Sequence, residues 1–169
     1  MIAGSATVVV DGLLPPVPPA AIRTVMLATD LSAASQLATD RAIELASRMA
    51  TRLVVINVID ERAIGGGPGH RTRIDQLRRR REEEMLGVVQ QALRAGVSCD
   101  FLVWDGDVPS TIVAAAEAER ADLVVVGSRG LDLAGSFLLG SVSNHVVHHA
   151  RCPVLVVRPA QKVESGVAA

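Results

Sequence analysis

A chain of 169 residues and 17.7 kDa has the size of one domain and is long enough to bury a core. Apolar residues make up 49% but aromatic ones only 2%, so the core must be built from Val, Leu, Ile and Ala, which favours a parallel sheet flanked by helices over a β-sandwich. A formal charge of −1 speaks against general nucleic-acid binding, which calls for a large basic excess, and leaves room only for a local basic patch.

Taken in chain order, residues 1–21 stand apart, because Pro15, Pro16, Pro18 and Pro19 cannot join a central strand or a helix interior. They read as an extended arm, with a possible edge strand over 7–10. The domain, assigned to 22–160, begins with the apolar run 23–30 as a first strand. Asp30, Leu31 and Ser32 offer helix-capping side chains, and Ala34, Ala38, Ala42, Leu45 and Met49 recur at helical spacing as one apolar face. Residues 53–58 form the second strand, parallel to the first by the crossover rule. The run Gly65-Gly66-Gly67-Pro68-Gly69 reads as a mobile loop. Helix resumes near Thr72, with Ile74, Leu77, Met85, Val88 and Ala92 on its apolar face and Gly96 past its end. The charge run Arg78 to Glu84 reads as a solvated face whose Arg and Glu pair with each other. Residues 99–104 are the third strand, Asp105-Gly106-Asp107 a turn, and Pro109 the first residue of a helix through 118.

The stretch that organises the rest is Asp122-Leu123-Val124-Val125-Val126-Gly127-Ser128-Arg129-Gly130, followed after nine residues by Gly140-Ser141-Val142-Ser143. The apolar run is a strand buried on both faces. Gly127 and Gly130 are expected to take positive φ and let backbone N–H groups turn toward one point. A helix over about 142–150 would aim its unpaired N–H groups and positive dipole end at the same place, where an anion fits. Residues 154–157 make a fifth strand and 161–169 a frayed tail. The sum is an α/β fold of Rossmann-like type: five strands alternating with four helices in an open, doubly wound parallel sheet.

The full spacing Gly127-x2-Gly130-x9-Gly140-Ser141, with Arg151-Cys152-Pro153 leading into a Val-rich last strand, resembles the ATP-binding members of the universal stress protein family. The likeness covers about 22–158. It implies the strand order 3-2-1-4-5, ATP as ligand with magnesium as a possible companion, and a homodimer through the strand at 154–157. Position by position, it implies that Asp30 contacts the nucleoside, that Val58 packs against adenine, and that Gly127, Arg129, Gly130, Gly140, Ser141 and Val142 form the ribose and phosphate loop. Ala28 and Val126 are carried into the same site. At Ala28, where some ATP-binding members have proline, only a backbone contact is implied.

Other chemistries fit less well. No Gly-x-Gly-x-x-Gly follows the first strand, so a dinucleotide dehydrogenase is disfavoured. Gly135-x4-Gly140-Ser141 imitates a P-loop without its lysine, so efficient ATP hydrolysis is not promised. A response-regulator receiver would need a second acid beside Asp30 and a lysine after the fifth strand, where Thr29 and Arg158 stand. His145, His148 and His149 lack an evident further metal ligand and read as ordinary surface histidines. Two cysteines, Cys99 and Cys152, are too few for a disulfide framework and read as packed thiols. No apolar run suits a membrane span, and Asp11 and the prolines interrupt any signal-peptide pattern, so the cytoplasm is expected. The reading is an ATP-binding, nucleotide-responsive module of a stress response, bound neither to membrane nor to nucleic acid. Its alternatives are a slow magnesium-dependent ATPase and a dimerisation module that binds no nucleotide.

Overall fold

The aliphatic runs form β1 (Thr24–Ala28), β2 (Arg52–Asp60), β3 (Cys99–Gly106), β4 (Leu123–Gly127) and β5 (Val154–Val157). A computed structural model of the chain describes residues 21–128 and 139–159. The expectations for the arm, for Arg129 and Gly130 and for the tail lie outside the described residues.

All pairings in the sheet are parallel and the order is β3-β2-β1-β4-β5, as the family likeness implied. Parallel strands need crossovers, and the helices supply them: α1 (Gln36–Met49), α2 (Glu61–Ile64), α3 (His70–Arg94), α4 (Val108–Ala118) and α5 (Ser141–His149). Period-two alternation splits the core. Val25, Leu27, Leu53, Val55 and Val125 face α1 and α3, whereas Met26, Val54, Ile56, Val124 and Val126 face α4 and α5. Because both faces are covered, most of β1, β2 and β4 is apolar at successive positions rather than at alternate ones. Asp122 fastens the entry to this sheet, its carboxylate accepting from the backbone N–H groups of Arg23 (2.8 Å) and Thr24 (3.0 Å).

Several local expectations need correction. The segment after β2 is not loop throughout: Asp60 accepts from the Arg62 N–H at 3.0 Å and caps the one-turn α2, while α3 starts at His70. The Gly-rich stretch between them is stapled, with Arg73 donating to the Pro68, Gly65 and Gly66 carbonyls and His70 Nδ1 lying 2.6 Å from the Gly65 carbonyl. β3 runs on through Asp105 and Gly106, and the turn comes at Asp107. Gly106 has φ +144°, and a Cβ there would sit 2.8 Å from Thr111 Oγ1, so only glycine fits. Pro109 is the second helical residue rather than the first, behind the cap Asp107. On α1 the buried stripe is Ala38, Thr39, Ala42, Ile43 and Ala46, while Met49, the last helical residue, is 41% exposed beyond the packed face. Gly96, with φ +75°, stops the long helix as expected.

Candidate functional site

In a sheet of this order the crossovers leaving β1 and β4 go to opposite faces, which opens a crevice at the strands' C-terminal ends. The register puts Ala28 between Ile56 and Val126, and these three form the crevice floor. Above them lies a cleft of ≈ 300 Å³.

Its two sides differ in chemistry. On the β2 side Val58, Ala63, Ile64 and Leu77 present an aliphatic wall, with Asp60 and Arg81 as the charged groups. On the β4 side stand Gly127, Ser128, Gly140, Val142 and Ser143. Gly140 caps α5 in an extended conformation, φ −58° and ψ 155°, and its carbonyl accepts from Asn144 N–H and Ser143 Oγ. The amides of Ser141, Val142 and Ser143, in the first helical turn, have no intrahelical acceptor, so this end of the cleft carries N–H donors and the positive end of the dipole.

Between the sides, the turn after β1 is fixed by side chains. Asp30 Oδ1 accepts from Ser32 N–H (3.1 Å) and Ser32 Oγ (2.6 Å), Thr29 Oγ1 accepts from Leu31 N–H, and Asn57 Nδ2 donates to the Thr29 carbonyl (2.9 Å). Leu31 sits at φ +62°, a left-handed conformation costly for a branched side chain and tolerated because these bonds over-determine the turn. The polar run read as a helix cap is therefore mainly a turn clamp, and Ser32 makes no side-chain cap bond to the 3₁₀ turn Ala33–Ser35.

Ala28, Asp30, Val58, Val126, Gly127, Gly140 and Val142 all line the cleft, whereas Ser141 opens α5 without lining it. Arg129 and Gly130 lie outside the described residues. Gly127 does not have the positive φ expected of it, and a Cβ there would make only an ordinary 3.8 Å contact with Ala38. Ser128 N–H is already committed to the Val157 carbonyl at 2.8 Å. Among the described residues, the donors at this end thus come from the helix start rather than from the residues just after β4. Sequence reasoning missed Ala63, Ile64, Leu77 and Arg81, contributed by α2 and α3. The four-residue step from Leu77 to Arg81 was the available signal, hidden inside a charge run.

His145 and His149 stack at 3.9 Å, and no group of three metal-ligating side chains occurs among the described residues. Burial pushes the Cys99 thiol up to about 11, with Asp100 adding to the shift, and burial also raises Cys152; neither is an activated thiolate. No helix among the described residues is long and apolar enough to cross a membrane.

The model of the universal stress protein family matches residues 21–158, which takes in all five strands and the cleft between them. The chain belongs to the universal stress protein family. A relative from Staphylococcus haemolyticus that carries this family name is 32% identical over 139 residues, covering 80% of this chain and 84% of its own. Among solved structures, the structural-genomics protein MJ0577 superposes with a TM-score of 0.75 at 25% identity over 83% of this chain and 99% of its own. A universal stress protein solved in complex with cAMP gives 0.61 at 26% identity, over 81% and 97%.

Proposed function

We propose that the cleft binds a purine nucleotide, ATP, and that the protein serves as a nucleotide-responsive module in a stress response. The observation that carries this is the polarity of the cleft, with an aliphatic wall at one end and the start of α5 at the other. In this reading the base lies against Val58, Asp30 takes the ribose side, and the phosphates reach Gly127, Gly140 and the first turn of α5, with Arg129, Gly130 and Ser141 completing the loop. The cAMP complex of a family member at 26% identity supports a nucleotide as the ligand class. Magnesium would enter as the counter-ion of the triphosphate.

The test is a titration of nucleotide-free protein. Mg-ATP at about a hundred times its dissociation constant adds roughly 2.7 kcal/mol of stability, a melting shift of roughly 5 to 10 °C. No shift and no heat of binding would remove the proposal. With no lysine at the phosphate end, ADP release is expected far below the roughly one per second at which ordinary enzymes begin.

A further inference from the structure

The four arginines 78–81 look interchangeable in sequence, but the fold separates them. Arg78 turns to β3 and pairs with Asp105. Arg80 stays in solvent, its side chain 76% exposed, paired with Glu84. Arg81, one helical turn after Leu77 and on the same face of α3, reaches the cleft, and its side chain is only 32% exposed. Its ion partner is Glu84 at 2.8 Å, a carboxylate shared with Arg80.

Arg81 stands on the aliphatic side, with Val58, Ala63, Ile64 and Leu77, across the cleft from Gly140 and Ser143. A cation placed there is at the wrong end to hold phosphates that sit on the start of α5. It is at the right end to meet a base. None of the described cleft-lining residues is aromatic, so the π-face of a base meets aliphatic carbon and one guanidinium plane. Guanidinium planes stack on bases and rings in a way an ammonium cannot copy.

We infer that Arg81 is a specificity-determining residue of the nucleotide site, covering the base with its guanidinium and thereby favouring purines over pyrimidines. This rests on the nucleotide reading above. On binding, the guanidinium exchanges part of a screened, solvent-facing ion pair with Glu84 for contact with the larger ring system.

ATP and CTP carry the same ribose and triphosphate, so their ratio isolates the base. The experiment is competition of each against a fluorescent ATP analogue on wild type, Arg81→Ala and Arg81→Lys, with the melting temperature of each variant recorded. ATP affinity should fall roughly three- to thirtyfold in both variants, with CTP changing less, so that the ATP preference shrinks. Unchanged ATP affinity in Arg81→Ala overturns the inference. So does an equal loss for ATP and CTP that Lys restores, which would make Arg81 a simple counter-charge. If the wild type binds neither nucleotide, the nucleotide reading itself has failed; if it binds ATP and the ratio does not move, only the role of Arg81 has.

Discussion

Arg62 of α2 and Asp107, the cap of α4, form an ion pair of 2.9 Å that joins two of the elements around the cleft mouth. Ala63 and Ile64 follow one partner and Val108 and Ile112 the other, and all four line the cleft. Beyond α2, glycines 65, 67 and 69 take positive φ, so the chain turns there toward α3. Arg62 is 80% exposed, so the pair is weak and sensitive to salt. Arg62→Ala should therefore quicken both entry and release of nucleotide, by roughly two- to fivefold, with the dissociation constant little changed. Stopped-flow mixing at low and high salt checks it. Equal rates for wild type and variant at low salt would show that the pair does not hold the mouth.

The same carboxylate ties the cleft to acid. The Ser110 hydroxyl bond to Asp107, helped by the Ser110 N–H and the Arg62 charge, holds its pKa below the ordinary 3.8. Its contribution is therefore fully present above that value and lost as pH falls through the depressed one. Asp122 behaves alike, lowered by the N–H groups of Arg23 and Thr24 where β4 meets β1. Asp122→Ala should destabilise the protein at pH 7, and the deficit should shrink as pH drops below about 4. Urea midpoints across pH 3 to 7 measure this. A deficit independent of pH would mean that the side chain acts by packing rather than by charge.

The strands were legible because a sheet covered on both faces demands uninterrupted apolar runs, and 25–28, 53–56 and 123–126 satisfy that demand with little ambiguity. Part of the cleft was legible as well, since the family resemblance pointed to Ala28, Val58 and Gly127, which stand at or near the ends of those strands. The α2 and α3 wall was not. A one-turn helix held by the Asp60 cap has no periodicity to detect, and Arg81 differs from Arg80 only in the direction that α3 gives it. Conformation at single glycines was also out of reach: Gly106 needs its special φ, and Gly127, the more conspicuous of the two in sequence, does not.

Gly140 offers a direct test of where the phosphates bind. Its φ of −58° is open to any residue, so Gly140→Val carries no left-handed strain. Its position in the cleft wall beside the first turn of α5 is where the proposed phosphates would sit. The variant should melt close to wild type and lose ATP affinity by roughly tenfold or more, the scale expected when unfilled donors or a misplaced phosphate cost one charge-assisted bond. Unchanged affinity would mean that the phosphates lie elsewhere, on the side of Asp60 and Arg81.

The last prediction concerns β5, whose one neighbour in the sheet among the described residues is β4. Its residues are Val154, Leu155, Val156 and Val157, apolar at every position, and Leu155 is 38% exposed. Leu155 and Val157 sit beside Leu45 with Arg41 and Arg48 around them, an apolar strip with a charged border. Soluble proteins protect such an edge with a charge, a bulge or a covering segment, and among these four residues there is no charge. We propose that a second copy pairs with it antiparallel about a two-fold axis, which gives the outward N–H and C=O groups of the strand partners and buries the strip. Because Leu155 is already part exposed, Leu155→Lys should keep the fold while placing two like charges across the axis, converting dimer to monomer. Ultracentrifugation of both proteins at tens of micromolar decides it. A wild type that sediments as a monomer would exclude the pairing outright, and a variant that remains dimeric would move the interface away from Leu155.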